Sequence, residues 1–397
     1  MQLNSSDVSE LTPRRQIGFK EFYDVAVTPC HTLFAFIDSK VIIHRRHQFQ
    51  SDRPTSTNTL FGGSKLAIPR SKLINSKEVG TYHCISRCVR RSFLCGNDYY
   101  TGKDFKHRRA WIETWIASLA DVLLVDVCSF AVMSNHVHLE LTNRPDLLEE
   151  LSDQEIAERL ARLYPGFRCY RHLPPNASPE RVQYFLDHPN EIYEKKDRLA
   201  SISIFMAAWQ ESVARCANKE EDKTGRFWEG RYKCRRLEDN GAKLMCSIYI
   251  DLNPYRAGEV RSPEESRFTS LGKRIHDIKR ESRSLPPQHD WLSPLKTLAG
   301  DNADEAFLPV NTHQYLELVD YISRRHRTKD TCELPDHLEP ILNRLALKKN
   351  SLRMTVSRFN KLFKLVVGSP NNMGNRAKLN KQNWHQGISA SRTAYED

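Results

Sequence analysis

No apolar run in the 397 residues approaches the ~20 positions that a membrane-spanning helix needs. No two of the ten cysteines are spaced as CxxC, which argues against a zinc knuckle or a disulfide framework. The opening MQLNSSDVSELTPRRQ lacks the charged-then-apolar layout of a signal peptide, so a cytoplasmic location is expected. Acid is missing from one long stretch altogether. Between Pro340 and Tyr395 there are eleven Lys/Arg and no Asp or Glu.

That missing acid sits in a chain with a formal net charge of +11 and a pI near 9.1, a balance that points to a polyanionic partner, most often nucleic acid. A second basic cluster, GRFWEGRYKCRR (Gly225–Arg236), carries Arg226, Arg231, Lys233, Arg235 and Arg236 against the single acid Glu229. Phe227, Trp228 and Tyr232 are interleaved with them, a mixture suited to stacking on unpaired bases. They suit anchoring a sheet core equally well. Arg87, Arg90 and Arg91, after the segment GTYHCIS, are further candidates for phosphate contact.

Three segments follow from composition and periodicity. Residues 1–75 are rich in Ser, Thr, Asn and Arg, with one apolar stretch, TLFAFIDSKVII, fit for an isolated hairpin; they are expected to be a poorly ordered extension. Residues 76–275 carry the sharp patterns. GTYHCISRC alternates like a strand, and DFKHRRAWIETWIASLA places Trp111, Trp115, Ile116 and Leu119 at helical spacing. DVLLVDVCSFAVM and HVHLELT read as two strands joined at Asn135. Residues 146–200 read as an insertion with an acidic helix, SDQEIAERLARLY; ISIFMAAWQESVARCANK and NGAKLMCSIYIDLNPYRAG read as later helices, the last closed by Pro254 and Gly258. Residues 276–397 read as a basic helical C-terminal extension, with Leu352, Val356, Phe359, Phe363 and Val366 on one face of a helix. The fold class expected is α+β, a ferredoxin-like antiparallel sheet with helices on one face, plus that extension.

The chemistry centres on SNHVHLEL. Among 15 histidines a His-x-His pair arises easily by chance, so the pair alone decides nothing. On a strand, side chains two apart share a face, so His136 and His138 point one way while Val137, Leu139 and Leu141 point the other. Two imidazoles do not close a coordination sphere. Glu140 continues the same face and would complete a 2-His-1-carboxylate set, or simply end an exposed strand face. In SIYIDLNP, Tyr249 and Asn253 stand four apart and so share a helix face. They read as a nucleophile beside an amide-oxygen ligand, or as an ordinary half-buried aromatic and a polar residue near a helix end.

The ordered set YHCISR, AVMSNHVHLEL, GRFWEGRYK and YIDLNPYRAG resembles the single-tyrosine HUH transposases (transposase IS200-like), particularly their REP-associated tyrosine transposase branch. His136-Val137-His138 matches the His-hydrophobic-His signature, and the resemblance spans roughly Val79 to Leu271. It implies a nuclease core that binds single-stranded or hairpin DNA and uses a divalent ion, Mg or Mn. It further implies His136 and His138 as metal ligands, Asn253 as the third, and Tyr249 as the nucleophile that forms a covalent 5′-phosphotyrosine and frees a 3′-hydroxyl. A phenol with a free pKa near ~10 needs an acceptor or a nearby positive charge for that role. Glu140 stands where the family more usually has an apolar residue, and a bystander role is expected for it.

The function expected is therefore a DNA strand transferase or endonuclease acting without a membrane and with a homodimer as one arrangement. The alternative is a non-catalytic DNA-binding protein on the same fold. A hydrolase or oxygenase built on His136, His138 and Glu140 is a third reading, which leaves the charge and Tyr249 without a reason.

Overall fold

The computed structural model describes residues 70, 73–89, 94–98, 102–166, 172–296, 307–324 and 333–396. The hairpin expected before residue 70, and Arg90 and Arg91, lie outside them. Residues 68–397 form one compact unit, and no helix among the described residues is long and apolar enough to cross a membrane.

The alternating segments become strands β1 (Gly80–Arg87), β2 (Val125–Val132), β3 (His136–Asn143) and β4 (Lys233–Leu237). Helix α1 (Arg108–Val122) joins β1 to β2 and buries Ile112, Trp115, Ile116, Leu119 and Val122; of the stripe read from its spacing, Trp111 is only half-buried. The stretch 146–200 folds into α2 (Asp153–Leu163), α3 (Pro179–Asp187) and α4 (Pro189–Lys195). A capping box starts α2: Ser152 accepts from Glu155 N while Glu155 reaches back to Ser152 N, satisfying two donors that the helix leaves open. Helix α5 (Ile202–Glu220) leads into β4, followed by α6 (Asn240–Asp251) and the short α7 (Asn253–Arg256).

The remainder comprises α8 (Ser270–Glu281), β5 (Leu295–Lys296), β6 (Leu308–Pro309), α9 (Thr312–Arg324), α10 (Glu339–Arg344), α11 (Lys349–Leu362), β7 (Val366–Val367), α12 (Pro370–Leu379) and α13 (Ile388–Ala394). The main sheet runs β2-β3-β1-β4-β7. Its first three pairings are antiparallel, while β4–β7 is parallel. The antiparallel expectation thus holds for four strands and fails at the edge, where β7 arrives from the C-terminal segment.

Helices cover both faces of the sheet, not one. Val137, Leu139 and Leu141 join a core with α1, α2 and α5, while the opposite face meets α6, whose Ser247 hydroxyl donates to Glu140 at 2.7 Å. Beyond α6, a second core gathers α9, α10 and α11. The residues that betray this lie on the His136–Thr142 face of β3, where a polar alternation suggested solvent and the chain instead buries His138, Glu140 and Thr142.

The C-terminal segment is tied in at Asp239, the cap of α6. Its Oδ1 accepts from Ala242 N (2.8 Å) and the Tyr395 hydroxyl (2.7 Å), and its Oδ2 from Ser369 N (2.6 Å) and Asn372 Nδ2 (3.0 Å). Gly241 permits the approach, since a Cβ there would stand 2.9 Å from the Tyr395 ring and 3.1 Å from Leu345 O. Leu352, Val356 and Phe359 form one face of α11, but the helix ends at Leu362, so Phe363 is its C-cap and Val366 lies on β7 and not on the helix as expected. All five are buried, each worth ~1.5–3 kcal/mol as an apolar side chain removed from water.

Candidate functional site

Pairing register assembles the site. On the α6 side of the sheet, β1 presents His83, Ile85 and Arg87, β3 presents His136 and His138, and β4 presents Lys233 and Arg235. Arg87 stands opposite His136, Ile85 opposite both His138 and Lys233, and His83 opposite both Glu140 and Arg235. Helix α6 crosses this face with Tyr249, whose ring centroid lies 5.7 Å from His138 and 6.0 Å from His83. The His136 and His138 rings are 4.8 Å apart, edge to face.

The hydrogen bonds leave each histidine with a defined spare nitrogen. His136 Nδ1 is engaged by Asn135 Oδ1, and His138 Nδ1 meets His83 Nε2 at 2.8 Å. Buried His138 Nε2 and His83 Nδ1 have no partner among the described residues. A His138 that donates its Nδ1–H to His83 keeps its Nε2 lone pair for a metal ion, the usual way an outer partner orients a ligand. Burial holds both His138 and His83 well below the ordinary imidazole pKa. His136 is lowered to about 4, first by burial and then by Arg87 and Lys233. All three are therefore neutral near pH 7, as ligation requires.

Tyr249 is 6% exposed, stacked on Phe359 of α11 at 5.4 Å. Burial raises its pKa, while Arg256, Arg235 and the Asn253 side chain pull it down. The Arg256 guanidinium lies 5.4 Å from the ring centroid. It donates to Val356 O (3.4 Å) and Ser357 O, so α11 holds it over the phenol. Helix α6 runs to Asp251 with Leu252 as its C-cap, and Asn253 opens α7; Pro254 has no N–H with which to continue the α6 ladder. Asn253 is close enough to pull the Tyr249 pKa down, yet its buried Nδ2 has no hydrogen-bond partner among the described residues.

The donor set fits a divalent ion in part. Two neutral imidazoles with spare Nε2 atoms suit it, yet among the described residues no third His, Cys, Asp or Glu ligand atom joins them in one cluster. Glu140 is the excluded candidate. It is fully buried, takes the Ser247 hydroxyl on Oε2, and keeps Oε1 unpaired. If an ion binds there, its third position would fall to Asn253, to solvent or to a bound phosphate oxygen.

No protein-family model matches the chain, and no curated protein is significantly similar to it. Among solved structures, a REP-associated tyrosine transposase bound to a REP hairpin is similar over 51% of this chain and 81% of its own, with 12% identity and a TM-score of 0.30. That is a distant, partial likeness.

The basic and aromatic candidates divide by burial. Arg87, Arg226, Arg231 and Lys233 are exposed, though Arg226 Nε donates to Trp228 O at 2.9 Å. Arg236 is buried, donating to the Tyr82 hydroxyl (2.7 Å) and pairing with Glu238 (3.1 Å), so it is taken from the phosphate-contacting set. Arg235 is also buried. Its Nε donates to Lys364 O at 2.9 Å and Nη2 to Asn360 Oδ1, while Nη1 has no partner among the described residues. Phe227, Trp228 and Tyr232 are core residues, not a stacking platform; Trp228 packs on Trp209 at 5.2 Å.

The residue missed from sequence is His83. Its strand alternation was visible in GTYHCIS, but only the β1–β3 register puts it against His138. His83→Ala is expected to weaken Mn²⁺ binding by about 10–100-fold, the cost of losing an outer partner, with His83→Asn recovering part of it. Titration of Mn²⁺ by calorimetry checks this, and equal affinity in wild type and His83→Ala would refute the role.

Glu140 supplies a pH prediction. Burial raises its pKa well above 4.5, more than Ser247 and Lys243 lower it. An acid raised on folding binds its proton more tightly in the folded state. The stability this confers is complete at acidic pH and is lost as pH rises above the unfolded value. Between about pH 5 and about pH 8, wild-type stability should therefore fall more than that of Glu140→Gln, measured by urea unfolding. Parallel curves would refute it.

Proposed function

We propose that the chain is a metal-dependent DNA strand transferase or endonuclease of the single-tyrosine type, acting on single-stranded or hairpin DNA. One observation carries the reading: Tyr249, more than a hundred residues further along the chain, is delivered to the same sheet face as His136 and His138, 5.7 Å from the His138 ring. The β-α-β-β-α-β order with strand order β2-β3-β1-β4 supports a ferredoxin-like nuclease core.

In this reading Tyr249 Oη attacks the phosphorus, forming an O–P bond as the P–O3′ bond breaks. The products are a 5′-phosphotyrosine and a 3′-hydroxyl, and the phenolic proton is balanced by the one the 3′-oxygen gains. Arg235 and Arg256 stabilise the developing phenolate by charge. Arg87 and Lys233, close enough to depress His136, hold the phosphate backbone beside it. Exposed Arg231, and Arg358, Lys361 and Lys364 around α11, extend that basic rim. An Mg or Mn ion held by His136 and His138, with Asn253 as a third donor, would polarise the scissile phosphate.

The burial of Tyr249, 6% exposed and stacked on Phe359, favours a second reading, a DNA-binding protein that does not cleave. One assay separates the two. Labelled hairpin DNA is incubated with Mn²⁺ and the products are run in SDS. A covalent adduct lost in His138→Ala supports the transferase. Binding with no adduct in Mg²⁺ or Mn²⁺ supports the second reading.

A further inference from the structure

Helix α8, tied to β2 by Arg274 Nη2 donating to Cys128 O at 3.0 Å, carries His276 and Asp277 in sequence. The chain then leaves the helix and returns with His289. The ligand atoms of these three residues all lie within 4.8 Å of one another. His289 Nδ1 is 2.8 Å and His276 Nδ1 3.5 Å from the same carboxylate oxygen, Asp277 Oδ1. The two rings stand edge to face at 5.2 Å.

We propose that His276, Asp277 and His289 form a binding site for a zinc-type divalent transition ion. Zinc bonds to imidazole nitrogen and carboxylate oxygen at ~2.0–2.2 Å in tetrahedral geometry, which sets neighbouring donors about 3.3 Å apart. The two nitrogen-to-oxygen separations bracket that value, and water completes the fourth position. Two nitrogens and one carboxylate suit zinc better than magnesium, whose preference is for oxygen.

The three side chains are already gathered, with His289 Nδ1 donating to Asp277 Oδ1, a proton that an ion would displace. His289 is 10% and Asp277 16% exposed at the side chain, against 48% for His276. Gln288 N also donates to Asp277 Oδ1 at 3.0 Å, and Arg280 Nε holds Pro286 O at 2.8 Å. His276 is thus the exposed donor, while Asp277 and His289 are largely enclosed. Asp277 and His289 are twelve positions apart, so an ion would clip a closed loop. Just past that loop the chain docks on the sheet: Trp291 packs against Phe130 at 5.4 Å and Ser293 N donates to Val127 O at 2.9 Å. The role assigned is a structural clip on the return from α8 to β2, and it stands independently of the Tyr249 chemistry.

The test uses the full, tag-free chain, stripped with chelator and dialysed against Zn²⁺ alone. Wild type, His276→Ala and His138→Ala are compared by bound-metal analysis and thermal unfolding. Expected is the loss of one Zn²⁺ equivalent, or an affinity drop of about tenfold or more, in His276→Ala, over and above any Zn²⁺ that His138→Ala gives up at the Tyr249 site. Because His276 is exposed, its removal should leave the metal-free melting temperature unchanged, while the rise that Zn²⁺ gives wild type disappears. Wild type that binds no Zn²⁺, or His276→Ala that matches wild type in stoichiometry and affinity, overturns the proposal.

Discussion

Tyr249→Phe should abolish the covalent DNA adduct, lowering its yield by about three orders of magnitude or more, while leaving DNA binding intact. The substitution removes only the hydroxyl. The ring keeps its stacking on Phe359 and its edge contact with His138, so the helix that carries it is undisturbed. The stability cost is that of one hydroxyl beside Asn253, whose Nδ2 already lacks a partner among the described residues, and stays at or below roughly 1 kcal/mol. The chemical cost is total for a nucleophilic mechanism, because nothing else attached at that position can form the O–P bond. The readout is the SDS-resistant band, with hairpin binding by fluorescence anisotropy as the control. An adduct that persists in Tyr249→Phe would mean that another residue is the nucleophile.

Asp251→Ala should produce the largest loss of stability among the substitutions near the site. Asp251 is fully buried at the end of the same helix as Tyr249. One carboxylate oxygen accepts from Ser270 Oγ (2.5 Å) and Leu271 N (2.9 Å), the other from the Tyr315 hydroxyl (2.6 Å). It therefore joins α6 to α8 and α9. Removing it strands three buried donors at once, a loss of about 3–5 kcal/mol and a large share of the ~5–15 kcal/mol that holds a typical domain together. Asp251→Asn keeps the shape and an acceptor for Ser270 and Leu271, and should recover part of the loss. Burial raises the Asp251 pKa above its ordinary 3.8 despite these three donors. The folded state thus favours the protonated form, and this group's contribution weakens as pH rises above the unfolded value. Urea unfolding of both variants checks the ranking; an Asp251→Ala loss below about 1 kcal/mol would show that the junction is not carried by these bonds.

These two residues show how unevenly the site could be read from the chain. Tyr249 and Asn253 stand four apart, but their roles came from the resemblance of the motifs and not from spacing, and the helix breaks at Leu252 between them. Asp251 sits between them in SIYIDLNP and carried no signal, because its partners Ser270 and Tyr315 come from other helices.

Sequence alone determined whatever depends on near neighbours. Two-residue alternation sets His136 and His138 on one strand face and Val137 and Leu139 on the other, and 3.6-residue spacing makes Leu352, Val356 and Phe359 one stripe. Tertiary structure alone decided whatever depends on what lies opposite. His83 acquires a role because β1 pairs with β3 in one register. Arg235 and Arg236 leave the surface because the C-terminal segment adds a fifth strand beside β4, and the same segment covers Tyr249 with Phe359. Helices on both sheet faces turned Glu140 from a strand-end residue into a buried acid. The physical reason is that periodicity encodes the direction in which a side chain points, whereas burial and charge pairing depend on the element it points at, which a distant part of the chain supplies.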